Sequence, residues 1–480
     1  SFSLALTSIC LEDFRSRSLL RAQEAEMSPD VSSECRAPAG PRQWSPADLV
    51  IVLLLIAVAA LLRFPRLSEP AVLVFDETYY AKDACLYLGR GQGVCDAPQA
   101  TEQSWVHPPL GKWIIAAGER AFGYDAFGWR VMAALFGTGL VPVVFLLART
   151  LFSDRWVATV AGLLTATDFL LLVQSRLGML DIFLAFFVAL GFLFLGLARD
   201  RARGGLATEK NPFGEAHAPG PERGWRLACG AALGAAMAVK WSAAWALGGA
   251  GLLALGWAIG QARAEHAGPR ELGAKLAGLG LAFGLVPLAV YLAAYLPWLV
   301  DHRFDLEEFV RLQRGMANYH LTLQATHTYQ SRAWTWPLVL RPVAYHYVAD
   351  PRVSHVLAFG NPAVWWASIG AGVWLAVRSL RGGRGERVVA MGWASQYLPW
   401  LVVARPLFTF YMTPVVPFMM VGLAGLLGAI RRLGRVPRLL VNAYLVISVG
   451  LLLWYFYPVI AAVGLDQPAW RSRMWFKSWI

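Results

Sequence analysis

From residue 47 onward the chain alternates between long apolar runs and short polar gaps. Eleven runs are apolar enough to form membrane-crossing helices of about 20 residues: 47–64, 127–149, 156–174, 180–198, 226–241, 243–260, 275–298, 362–378, 388–404, 408–430 and 439–463. The 226–241 and 243–260 pair also reads as one long kinked element. Two polar stretches are longer, 65–126 and 299–361, and their apolar spacing predicts amphipathic helices lying in the membrane interface. In the second, Leu306, Phe309, Val310 and Met316 fall on one helical face, with Glu307, Glu308, Arg311 and Arg314 on the other. The stretch from Trp470 to Ile480 mixes Trp with Arg and Lys and reads as an interfacial anchor. Residues 1–46 lack apolar periodicity and read as a disordered cytoplasmic tail ahead of a single catalytic domain, 47–480.

Composition strengthens this pattern. Hydrophobic residues make up 57% of the 480 positions and charged residues only 15%, where soluble domains carry about 25% charged. A soluble enzyme and a disordered chain are excluded on that basis. The 21 Trp residues suit the two faces of a bilayer. The reading is an all-α polytopic membrane protein.

The net charge of +12 would suggest nucleic acid, but its distribution argues against that partner. More than half of the 43 Lys and Arg lie in the tail and in alternate gaps: Arg149 and Arg155, 199–226, 263–275, 378–387 and 431–438. With eleven spans these clusters share one side, which places the N-terminus in the cytoplasm and the C-terminus outside. Segments 65–126 and 299–361 then lie outside. There Cys85 and Cys95 either form a disulfide or remain two thiols. The five cysteines show no zinc spacing.

Since the basic gaps contain little else, chemistry is expected in the outer segments and in charges near membrane depth, where an ionisable group is costly to keep. Phe75-Asp76-Glu77 sets two carboxylates directly after an apolar approach. Asp76 can cap a helix starting at Glu77. Adjacent helical side chains diverge, so if the pair is catalytic, one carboxylate reacts and the other orients a substrate or cation. His107-Pro108-Pro109 through Lys112 reads as a helix entry. Arg130, Arg176, Asp181, Lys240 and Arg405 mark outer helix ends, and Arg176 and Asp181 are close enough in sequence to pair. Tyr319, His320 and His327 crowd the second outer segment. Cations facing outward beside a carboxylate pair suit transfer from a lipid-linked phosphate: Arg and Lys stabilise the leaving phosphate, and Asp or Glu takes a proton from an incoming hydroxyl. Fixed guanidinium groups can serve in place of a metal, so no cofactor is required, and the part of a divalent ion is left open.

Nine stretches in register carry a family resemblance: FDETYYAKDA (75–84), HPPLGKW (107–113), WRVMAALFG (129–137), QSRLGMLDIFLAFF (174–187), AVKWSAAW (238–245), NYHLTLQATHTYQS (318–331), WPLVLRPVAY (336–345), GNPAVWW (360–366) and FTFYMTPVVPF (408–418). Together they resemble the dolichyl- or polyprenyl-phosphate-mannose–protein O-mannosyltransferases of GT-C fold, especially bacterial, actinobacterial members. The resemblance implies an inverting plasma-membrane enzyme moving mannose from polyprenyl-phosphate-mannose to Ser or Thr of exported proteins, with access to the Sec translocon. It implies Asp76 as general base and Glu77 as acceptor-positioning group, with the reverse assignment open, and Arg130 at the donor phosphate. Arg176, Lys240, His320 and Arg405 are carried over as phosphate or sugar contacts. His107, Lys112, Asp181, Tyr319 and His327 are carried over as acceptor or structural groups. Segment 299–361 is too short for the β-trefoil MIR domain of fungal and animal relatives. Competing readings are a GT-C transferase acting on a lipid or glycan and, less in keeping with charges at helix ends and no internal repeat, a transporter.

Overall fold

In the computed structural model, residues 45–91, 93–95, 105–207 and 221–480 are described. The expected tail therefore lies outside the described residues, apart from its last two positions. Ser45 caps the first helix in a capping box with Asp48. Pro46 then occupies N1, where a missing N–H is harmless.

Helices follow almost without interruption: α1 Pro46–Arg63, α2 Glu77–Tyr87, α3 Leu110–Phe122, α4 Gly128–Phe152, α5 Arg155–Thr167, α6 Phe169–Ser175, α7 Asp181–Ala207, α8 Pro221–Val239, α9 Ala243–Ala264, α10 Pro269–Gly280, α11 Val286–Ala294, α12 Leu296–Asp301 and α13 Leu306–Thr322. After a short hairpin come α14 Pro362–Leu380, α15 Arg384–Tyr397, α16 Val416–Arg431, α17 Arg435–Gly450 and α18 Gln467–Arg473. Every expected span is helical. Among the described residues, seven helices are long and apolar enough to cross a membrane, or eight if the bent α5–α6 pair is one span. The segments 226–241, 388–404 and 408–430 fold as shorter or more polar helices, so length and apolarity alone do not carry the count to eleven. The chain is a multi-pass membrane protein.

Burial sorts the spans. The apolar windows of α4 and α7 are 67% and 72% buried, against 28% for α1 and 22% for the α17 span. The first two form the centre, and the others turn apolar faces such as Leu53, Leu54 and Leu61 outward. Small residues let the helices close up. A Cβ on Gly230 or Gly234 of α8 would collide with the backbone of Ala282 or Pro287. The α5–α6 break, bent by 57°, is closed by Asp168, whose carboxylate accepts from Leu171 N at 3.0 Å and from Trp365 Nε1 at 2.8 Å.

Ion pairs show which ends share a side. Asp48 meets Arg155 at 2.9 Å and Arg149 at 3.3 Å, and Arg432 meets Asp154 at 3.1 Å. Arg199 donates to the Arg384 carbonyl at 3.1 Å. These basic gaps therefore gather at the N-terminal end of α1. Segment 65–126 leaves from the other end, about 27 Å away by helix rise.

Segment 299–361 is only partly the amphipathic helix expected. The buried face of α13 is Phe309, Leu312 and Met316, while Leu306 and Val310 are exposed. Val310 and Leu306 diverge from the stripe set by the 309–312–316 spacing. The same segment also contains an unforeseen antiparallel hairpin, β1 Val343–Val348 with β2 Ser354–Ala358. Its inward residues Val343, Tyr345, Val356 and Leu357 are buried. The expected interfacial anchor at the C-terminus packs on this hairpin instead. Trp470 donates to His355 Nδ1 at 2.9 Å, and Trp479 donates to the Val339 carbonyl at 2.7 Å. Both indoles are buried; Trp475 and Phe476 keep the outward position.

Candidate active site

Asp76 and Glu77 do diverge, and their environments are opposite. Glu77 is fully buried. Its two oxygens accept from Arg130 Nε and Nη2 at 2.7 and 2.8 Å, from Gly178 N at 2.7 Å and from Val74 N at 3.0 Å. This corrects the acceptor-positioning role, because every lone-pair direction of Glu77 is already taken. Arg130 is corrected for the same reason. Its remaining N–H groups go to the carbonyls of Leu67, Pro70 and Val72 at 2.8–3.2 Å, so all five donors hold the 67–77 loop and none is left for a phosphate. Arg176 likewise donates to the carbonyls of Leu62, Arg63, Pro65 and Arg66. It closes the C-terminal end of α1, where carbonyls lack helical partners. It does not pair with Asp181.

Asp76 occupies the N-cap position of α2, but its side chain makes no capping bond. It points into a polar cluster instead. The preceding Phe75 is held at φ +50°, a left-handed conformation unfavourable for a bulky residue. Packing fixes it there: Tyr345 of β1 stacks on its ring at 4.4 Å and Phe410 meets it edge-on at 5.7 Å. Asp76 itself has helical φ/ψ (−71°, −8°), not the extended conformation from which an N-cap side chain reaches back. Its carboxylate accepts from Tyr80 Oη at 3.3 Å, one turn along α2. Burial, with the Asp181 charge adding to it, raises the Asp76 pKa to about 6, against the pull of Lys240 and Tyr80.

Around Asp76 the elements converge. Lys240, at the end of α8, pairs with Asp181 at the start of α7 at 2.8 Å, both buried. His320, near the end of α13, donates through Nε2 to the Val106 carbonyl at 2.9 Å and meets Arg405 at 3.2 Å through Nδ1. Since Arg405 can only donate, Nδ1 is the acceptor and Nε2 carries the proton. His107 stacks on His320 with centroids 5.4 Å apart. Burial and the nearby Lys240 and Arg405 charges push both imidazoles below their ordinary pKa, keeping them neutral at pH 7. Arg405 lies over the rings of Trp400 and Tyr411, and no carboxylate pairs with it among the described residues.

Asp76, Asp181, Lys240, His107, His320 and Arg405 thus share one field. Three further residues have other surroundings. Lys112 pairs with Asp83 at 2.7 Å and fastens α3 to α2. Tyr319 is exposed beside His320. His327 accepts from the Tyr329 amide in an exposed turn against Phe408. Sequence reasoning missed Tyr80, Tyr345, Tyr411 and Asp83. Tyr80 and Asp83 had a signal, lying four and seven residues after Asp76 on one helix. Tyr345 had none, since the hairpin was not foreseen. Cys85 and Cys95 are joined by a disulfide.

Against known families, residues 53–299 match the model described as dolichyl-phosphate-mannose-protein mannosyltransferase. Residues 305–479 match the C-terminal four-span region of protein O-mannosyltransferase. The chain belongs to this family. A polyprenol-phosphate-mannose–protein mannosyltransferase of Mycobacterium tuberculosis (strain CDC 1551 / Oshkosh) is 31% identical, covering 89% of this chain and 91% of that protein. Its namesake from Mycolicibacterium smegmatis (strain MKD8) is 30% identical over 92% and 95%. Among solved structures, the Saccharomyces cerevisiae Pmt1-Pmt2 complex bound to its sugar donor aligns with TM-score 0.76 at 14% identity, over 92% of this chain and 93% of that one. ArnT from Cupriavidus metallidurans bound to undecaprenyl phosphate aligns at 0.52 and 19% identity, over 80% and 61%. These two establish the GT-C fold of this family member.

Proposed function

We propose that the chain is a protein O-mannosyltransferase that moves mannose, with inversion, from polyprenyl-phosphate-mannose to Ser or Thr hydroxyls of exported polypeptides, with Asp76 as general base. One observation carries the assignment of the base: the only carboxylate of the acidic pair left without a structural task is aimed into a cluster of cations in a chain of this family. The hydroxyl oxygen attacks the anomeric carbon from the face opposite the phosphate. The bond from that carbon to the phosphate oxygen breaks, and the polyprenyl phosphate leaves with the electron pair. Asp76 takes the hydroxyl proton, for which a pKa of about 6 suits it better than an ordinary aspartate. Arg405 is the phosphate contact, with Lys240 and neutral His320 lining the same field and Asp181 fixing Lys240. His107 supports His320 by stacking; Tyr319 and His327 lie toward the acceptor side.

We place the enzyme in the plasma membrane with the Asp76 end outward and the basic gaps in the cytoplasm, following the charge rule. Delivery of unfolded acceptors by the Sec translocon fits that orientation. The test is transfer of labelled mannose from synthetic polyprenyl-phosphate-mannose to a Ser/Thr/Pro-rich peptide by the purified chain. Asp76→Asn is expected to abolish it with the fold intact; unchanged turnover would remove the base assignment.

A further inference from the structure

A cavity of about 720 Å³ lies away from Asp76. It opens between α2–α3 and the α12–α13 turn, with Tyr87, Trp105, Trp113 and Trp298 as walls and Asp301 and Glu308 at the mouth. Four features make it more than a gap between helices. The Tyr87 hydroxyl is buried yet has no hydrogen-bond partner among the described residues, a state that costs free energy unless something fills it. The rings are preorganised by mutual contact, Tyr87 with Trp113 at 4.7 Å and with Trp105 at 6.0 Å. The mouth is acidic in a basic protein: Arg311 is paired with Glu307 at 3.0 Å, and Asp301 pairs with no cation among the described residues. Finally, the cavity is connected to the active site by α2 itself. Asp76 and Tyr87 are eleven residues apart, which brings them back to the same helical stripe about 16 Å along the axis.

Aromatic walls with carboxylates at the rim are the chemistry that recognises an organic cation. We infer that this cavity is an acceptor subsite that takes a basic side chain, Arg or Lys, of the polypeptide whose hydroxyl lies at Asp76. An extended peptide advances about 3.3–3.6 Å per residue. The side chain read here is therefore four or five positions from the modified Ser or Thr. The guanidinium or ammonium lies against the Trp113 ring and donates to the Tyr87 hydroxyl; Asp301 and Glu308 balance its charge, Glu308 from beside His302, which stacks on Trp298 at 3.9 Å. Lys112 lies over the Trp105 ring at 5.6 Å. The inference rests on the mannosyltransferase reading for its occupant, and on the cavity alone for its charge preference.

The test uses the full chain in nanodiscs and fluorescent peptides with one Thr in an Ala/Gly background, each bearing a single Arg at a distance of one to seven residues on either side. Equilibrium binding and KM are measured separately. Arg at four or five positions is expected to tighten binding about fivefold over the Arg-free peptide. The doubly substituted Asp301→Asn/Glu308→Gln protein should lose that gain and keep its turnover of the Arg-free peptide. Equal binding of all peptides, or a gain at every position alike, would overturn the subsite. So would a change in the double variant that follows the ammonium-lipid content of the nanodisc and not the peptide, which would assign the cavity to a headgroup. Because binding is read without donor, absent transfer with position-dependent binding would sink the mannosyltransferase reading and leave the cation subsite standing.

Discussion

At Asp76 the balance of burial and charge has a direct kinetic consequence. The base works only when ionised, so kcat/KM is expected to rise with pH through about 6 and level off above it. A pH profile flat from 5 to 8 would show that Asp76 does not take the proton. Asp76→Asn is expected to lower kcat at least about 100-fold. It is not expected to lower stability. A carboxyl with a higher pKa in the folded chain binds its proton more tightly when folded, so its contribution is present at low pH and lost as pH rises through about 6. Asn removes that loss at pH 7.5, and the melting temperature should hold or rise. Glu77→Gln is the contrasting case. It leaves the buried Arg130 without its counter-charge, a change that costs about 3–5 kcal/mol; thermal melting separates this from a catalytic defect. Which acid of the pair does which job was not legible in the sequence. Adjacency told that they diverge, but only the Gly178 amide and Arg130, 101 and 53 residues away, decide which one turns inward.

Among the elements, α2 carries both the site and the cavity, and three ties hold it: Glu77 to Arg130, Asp83 to Lys112, and Cys85 to Cys95. The disulfide closes a loop of sequence separation 10, for which loop entropy corresponds to about 2–3 kcal/mol. Cys95→Ser should therefore weaken amide protection in the second half of α2, read by hydrogen exchange, and raise KM for peptide more than for donor. Protection unchanged along α2 would show that the other two ties suffice. The helices of the fold were legible because apolar runs of this length have few alternatives. The β1–β2 hairpin was not, since two short strands bury a few residues each and give no long periodic signal. The α13 face was misread by one stripe because Leu306 and Val310 are as apolar as the residues beside them, and packing against Tyr291, Tyr295 and Trp298 selects among them.

For the whole molecule, the two ends of α1 divide the labour. One end collects Asp48, Arg149 and Arg155; the other leads to Asp76. Leu433→Cys beside the Arg432 turn and Leu321→Cys beside His320, both exposed, are expected to react with an impermeant maleimide from opposite faces of intact cells, Leu321→Cys from outside. Labelling of both from one face would overturn the orientation. Turnover is expected to persist in excess chelator, since Arg405 and Lys240 supply fixed positive charge; loss restored by a divalent ion would require a metal at the phosphate. That the basic gaps share one end was legible in the sequence, because their clustering depends on translocation energetics and not on packing. The C-terminal segment was not, because Trp suits a bilayer interface and a protein core equally well. Its contacts reach the chemistry. Trp470 bonds to His355 of β2, and the hairpin presents Tyr345, whose ring stacks on Phe75 in its left-handed turn. Proteolytic trimming after Pro468 would thus act at a distance: the chain would stay in the membrane with every polar active-site side chain present, yet Phe75 could relax and let Asp76 swing back to cap its own helix, leaving a well-expressed protein that transfers nothing.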